Sequence, residues 1–130
     1  MQENDLFEYA VLRVVPHVER EEFLNVGIVL LCAKQKFLKA KFEINSSRLN
    51  LLCKSLDFDE LSKHAKSFEL ICAGGKEAGP IGTLPIAERF RWLTSTRSTI
   101  LQSSKVHPGL CQDAAEKLED LFSKLVAGCE

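Results

Sequence analysis

Histidine is scarce in this chain and Cys-x-x-Cys is absent, which removes the commonest ways of holding a metal. Only three His occur among 130 residues, and His17, His64 and His107 are each more than forty positions apart. Neither a structural nor a catalytic zinc site is therefore expected. The five cysteines (Cys32, Cys53, Cys72, Cys111 and Cys129) are an odd number, mostly inside apolar runs. There Cys behaves as a small hydrophobe, which suits a reducing cytoplasm. Charge of one sign is lacking too: the formal net charge is -1. A balanced chain has no global attraction for nucleic acid or an anionic membrane, so neither is expected as a partner. The longest apolar run, Val26–Ala33, is too short to cross a bilayer as a helix. The opening MQENDLFEY is acidic and has no apolar stretch of the kind a signal peptide needs, so a cytoplasmic location is expected. Gly74-Gly75-Lys76 superficially suggests a phosphate loop, but it follows a helical pattern and no Ser or Thr follows the lysine. No cofactor is indicated.

What is present is enough apolar material, 45% of residues, to bury one core in one α+β domain spanning residues 1–130. From Phe7 to Val15 the chain is apolar at both parities, with Phe7, Tyr9, Val11 and Val15 on one face and Ala10, Leu12 and Val14 on the other. Such a strand is covered on both sides. Phe23–Cys32 reads as a second strand, with Asn25 and Gly27 on the parity of Val29 and Leu31. Glycine inside a strand marks a bulge or the close approach of another backbone. Lys34-Gln35-Lys36 turns into a third strand, Phe37–Ile44, whose lysines suit an edge. A helix from Ser46 or Ser47 to Leu56 and another opened by Asp57-x-x-Glu60 and stopped by Gly74-Gly75 follow. After a short helix carrying Ile86, Phe90 and Leu93, Thr96–Val106 reads as a fourth strand, and Asp113–Ala127 as a final amphipathic helix. This order predicts an antiparallel four-stranded sheet, a three-stranded meander plus a late strand beside the first, with helices packed mainly on one face. The other face of the first two strands needs a helix, a second copy or another protein to cover it.

Chemistry concentrates in the late segment. Residues 79–111 carry four basic groups against one acid, between acidic ends of the chain. The candidate ligand-binding cluster is Arg89, Arg97, Ser98, Gln102 and His107, with Thr99 and Ser104 nearby and Arg13, Arg20 and Asn25 as partners. Arginine forks among hydroxyls and amides are what carboxylate or phosphate recognition needs. The plainer reading is a hydrated edge strand whose Arg97 pairs with an acid. In an extended chain Arg97 and His107 stand roughly 33 Å apart, so both reach one small ligand only if the chain turns between them. Arg13 reads either as a packed stem whose head pairs with a carboxylate or as an anion-binding arginine in a cleft. Asn25 reads as a satisfied structural amide or a ligand contact. Cys111 and His107 could form a nucleophile and base, yet four residues across a Pro-Gly turn meet only by accident.

Tyr9, Arg13, Pro16, Arg20, Glu22 and Asn25-Val26-Gly27, followed by GPIG at Gly79–Gly82, ERFRWL at Glu88–Leu93 and RSTILQSSKVH ending at His107, resemble a small bacterial family. It is the one catalogued as domain of unknown function 3037, and the likeness runs from about Glu8 to Val126. The resemblance implies no activity, cofactor or catalytic residue. It implies a partner or accessory role, with a kinase-fold protein as the candidate partner. The expected function is thus non-enzymatic binding of a protein, or of a second copy in a homodimer, through the sheet face or the Arg-rich segment. The alternative is a pocket for a phosphorylated ligand, nucleotide or nucleic-acid end, with weak chemistry at His107.

Overall fold

The computed structural model describes residues 4–95 and 99–127. Its strands are β1 (Asp5–Val14), β2 (Leu24–Cys32), β3 (Phe37–Phe42), β4 (Leu101–Ser103) and β5 (His107–Cys111). The helices are α1 (Ser46–Leu52), α2 (Phe58–Ala73), α3 (Ile86–Thr94) and α4 (Ala114–Phe122), the last running into a π turn at Ser123–Ala127. The sheet is antiparallel in the order β3-β2-β1-β4, with β5 also on β1. The α+β class, the meander and the late strand beside the first are all as expected.

The late strand differs in one respect: it comes in two pieces. β4 pairs with Leu12–Val14, and β5 pairs with Asp5–Tyr9 along the same edge of β1. At the break the Ser104 hydroxyl accepts from the Val11 amide at 2.8 Å, replacing the missing ladder carbonyl. Pro108-Gly109 is consequently strand rather than turn. Pro108 tolerates this because it lies in an edge strand. Gly109 is required there, since a Cβ would come within 2.5 Å of the Phe7 ring.

Gly27 does both things a strand glycine can do. Leu12 pairs with Gly27 and Arg13 with Asn25, so Val26 is the extra residue of a β-bulge. A Cβ at Gly27 would sit 2.8 Å from the Lys41 carbonyl and 2.8 Å from Phe42 Cδ1. The bulge also overturns the simple parity of β2. Asn25 leaves the face of Val29 and Leu31 and joins the face of Arg13.

Two cores result, one on each side of the sheet. Ala10, Leu12, Val14, Val29 and Leu31 pack under α1, α2 and α3, which makes this the main helical face. Phe7, Val11, Ile28 and Leu30 pack under Leu118 and Phe122 of α4. A helix therefore covers the second face, the first of the three coverings expected for it. Both ends of α4 are fastened. Asp113 caps its first turn by accepting from the Ala115 and Glu116 amides. Gln35, in the β2–β3 turn, accepts from the Ala114 amide at 2.9 Å and donates to Asp5 and to the Gln112 carbonyl. At the far end Asn25 Nδ2 donates to the Leu125 carbonyl and Arg48 Nη1 to that of Val126.

Helix limits shift by a few residues. Asn45, rather than a serine, caps α1, and α2 begins after Asp57, whose side chain accepts from the Glu60 amide. Cys53 is already extended, so α1 ends before Leu56. Pro85 stands at the N-cap of α3 rather than inside its first turn.

Gly27→Ala should lower stability by about 1–3 kcal/mol, because the methyl group strikes backbone that the β2–β3 ladder holds in place. A urea midpoint equal to that of the wild type would show that the strands part without strain.

Candidate functional site

Arg89 is the most buried of the candidate residues that the structure describes, at 9% exposure. Its Nη1 donates to the Ile71 and Cys72 carbonyls at 2.7 and 2.8 Å, and its Nε donates to that of Leu84 at 2.9 Å. The first two are among the carbonyls that the end of α2 leaves without an intrahelical partner. The cation also suits the negative end of that helix dipole. A Cβ at Gly74 would lie 2.8 Å from Arg89 Nη1, so the stop of α2 and the seat of Arg89 are one structure. The expectation that Arg89 joins a ligand cluster is corrected on this ground: its donors are spent on backbone.

Arg13 has no such commitments. It lies between Leu12 and Val14, which face the α2 side, so its own side chain lies on the α4 side. The guanidinium carbon sits 4.1 Å from the centroid of the Phe23 ring. Among the described residues no carboxylate or carbonyl meets it, and its Nε is buried without a hydrogen-bond partner. Directly opposed residues of an antiparallel pair share a face. Arg13 is opposed by Asn25 on β2 and by Gln102 on β4, so the three form a row across the sheet. Asn25 Oδ1 is also buried and unpartnered, although its amide nitrogen is used on Leu125. Gln102 donates to the Thr99 carbonyl.

Further along the same face Tyr9 is opposed by His107, their ring centroids 5.3 Å apart. Arg13, Asn25, Gln102 and His107 thus belong to one strip, running beside the part of the sheet that α4 covers. Arg20 is elsewhere in the β1–β2 connection, exposed and paired with Glu22 at 2.6 Å. Arg97 and Ser98 lie outside the described residues. Thr99 and Ser104 turn their hydroxyls to backbone carbonyls. Gln102, on the edge strand, borders a cavity between α2, α3 and β4, and Arg89 does not line that cavity.

Phe23, Tyr9 and Leu125 are the members of this surface outside the candidate set. Phe23 is 47% exposed although it is large and aromatic. The signal in the sequence was its place next to the charged Arg20-Glu21-Glu22, two residues before Asn25.

Cavities lie away from Arg13. One of about 280 Å³ between α2, α3 and β4 is lined by His64, Phe68, Trp92, Leu93 and Gln102. Another, of about 520 Å³, runs along the β3 edge between Glu69 of α2 and Glu119 of α4, past Lys39 and Lys41. Neither includes a candidate arginine.

The thiols are poor nucleophiles where the sequence allowed one. Burial pushes Cys72 up to about 12 from its ordinary 9.0. Cys111 is raised as well, first by burial and then by the neighbouring Cys32. Because β5 is extended, Cys111 and His107 stand four residues apart along a strand, roughly 13 Å. They do not form a nucleophile and base. Among the described residues no group of three or more His, Cys, Asp or Glu converges, and no helix is long and apolar enough to cross a membrane.

A family model described as protein of unknown function (DUF3037) matches residues 9–126. The chain belongs to this family. The match spans β1 from Tyr9 onward through the π turn after α4, so the Arg13 row and the Arg89 seat both lie inside it. Neither the search of curated proteins nor that of solved structures gives a match.

Arg89→Met should destabilise the fold by on the order of 3 kcal/mol, since three carbonyls lose a charged donor and two of them are buried. Thermal unfolding of the variant measures this. An unchanged melting temperature would return Arg89 to the list of residues available for binding.

Proposed function

We propose that this protein is a non-enzymatic binding or accessory protein. It engages a protein partner through the strip formed by Tyr9, Arg13, Phe23, Gln102 and His107. One observation carries the reading: Phe23 is stacked on Arg13 and open to solvent, with Leu125 beyond Asn25 also exposed. Aromatic side chains and arginine dominate the energetic centres of protein interfaces, where they bury much area at little entropic cost. A shallow strip on a sheet also suits a protein surface better than a small phosphorylated molecule, which favours enclosure on most sides. A kinase-fold protein, the partner the resemblance implies, is kept as the candidate. Among the described residues four cysteines are free, three of them buried, which is compatible with a reducing cytoplasm.

A second surface favours a homodimer. Leu6 and Leu110 are directly opposed across β1 and β5 and are 60% and 63% exposed. They lie on the α2 side of the sheet, at the end those helices do not reach, and Leu6 borders a cavity of about 230 Å³ next to Leu31. A second copy placed there would cover both leucines.

The test is capture from the native host with the tagged chain, using wild type, Phe23→Ser and Leu110→Asp. A stoichiometric protein that the wild type retains and Phe23→Ser loses, with the fold of the variant intact, supports the strip. Equal retention by both overturns it. Light scattering of the same samples should give a dimer that Leu110→Asp splits, and a wild-type monomer at high concentration ends the homodimer reading. A thermal shift with nucleotides or sugar phosphates would instead favour the phosphorylated-ligand alternative.

A further inference from the structure

We infer that Arg13 is a seat for a carboxylate, specifically an acidic side chain of the partner protein. This rests on the strip being the binding surface. The chain has 18 Asp and Glu residues, yet none of the described ones reaches this guanidinium, although Arg20 takes Glu22 and Lys41 takes Glu119. Arg48 and Arg89 are spent on backbone carbonyls. Among the described residues Arg13 alone combines a half-buried position, an aromatic ring against its guanidinium and a buried Nε without a partner. A buried donor without an acceptor is costly, and folded proteins leave few of them.

The geometry also says how the seat is held. The Arg13 guanidinium carbon lies over the Phe23 ring, 4.1 Å from its centroid, which limits where the group can go. Arg13 and Asn25 are directly opposed, and each has one buried atom in need of the other's chemistry, the Nε donor and the Oδ1 acceptor. A change of rotamer that joins them satisfies both atoms. It leaves the two Nη groups to fork onto the two oxygens of a carboxylate, the pairing that planar guanidinium suits best. Asn25 is held in turn by its bond to the Leu125 carbonyl, so it acts as a positioning residue. Phe23, with Leu125 beyond Asn25, then supplies the apolar surround that excludes water from the pair.

The experiment is nitrogen-edited NMR of the arginine Nε–Hε signals during titration with acetate, and separately with inorganic phosphate. Acetate should move the Arg13 signal, identified by its loss in Arg13→Lys, while those of Arg20, Arg48 and Arg89 stay. An unmoved Arg13 signal overturns the seat, and a stronger response to phosphate than to acetate overturns the choice of carboxylate. For the captured protein, Arg13→Met should lose about 10- to 100-fold in affinity at an unchanged melting temperature, with Arg13→Lys between. Wild-type affinity in Arg13→Met alongside loss in Phe23→Ser would sink the seat and spare the strip. Unfolding of both Arg13 variants would make the arginine structural and overturn the seat as well.

Discussion

Both faces of the β1–β2 pair are apolar, and neither can be left wet. That constraint explains where α4 lies. After β5 the chain still has to place a helix on the side that α1, α2 and α3 do not reach, and α4 does so with Leu118, Leu121 and Phe122. Among the described residues eleven buried side chains make up this second core. At about 1.5–3 kcal/mol for each large apolar side chain removed from water, its burial is comparable with the whole net stability of a domain this size. α4 is therefore structural, and Gln35 at one end and Asn25 with Arg48 at the other fix where it lies.

The site follows from how α4 covers its face incompletely. Phe7, Val11, Ile28 and Leu30 are buried under it, while Arg13 and Asn25, toward the end of the same strands, are only half-buried. Asn25 reaches this place only because of the bulge at Val26. With regular pairing it would face α2, and Arg13 would have no amide opposite it on β2. The bulge in turn needs Gly27, because the shifted strand brings the Lys41 carbonyl to within 2.8 Å of where a side chain would begin. A residue with no side chain thus determines which polar groups stand next to the arginine.

Much of the architecture was legible. Apolar residues at both parities of β1, the glycine in β2, the lysines of β3 and the Asp57 cap each name a local structure for a local physical reason. The α+β class and the strand order followed from them. Less could be read where the outcome depends on contacts distant in sequence. Arg89 and Arg13 look alike in the chain, each a basic residue next to apolar ones in a regular element. One finds the end of a helix packed against its own, and the other finds no acceptor. The two pieces of the late strand were likewise hidden, because Ser104 substitutes for a ladder partner only once β1 is beside it.

The contrast between these two arginines is also what separates scaffold from surface. A guanidinium whose donors are met by backbone carbonyls is insensitive to what binds, and replacing it costs stability. A guanidinium that folding has partly dehydrated but not paired is already deprived of some water, so a later anion forfeits less solvation in meeting it. Part of the desolvation cost of association has then been met by folding, which is one form of preorganisation. In this molecule that condition holds where Arg13, Asn25 and Phe23 come together, and the second core beneath α4 keeps them there.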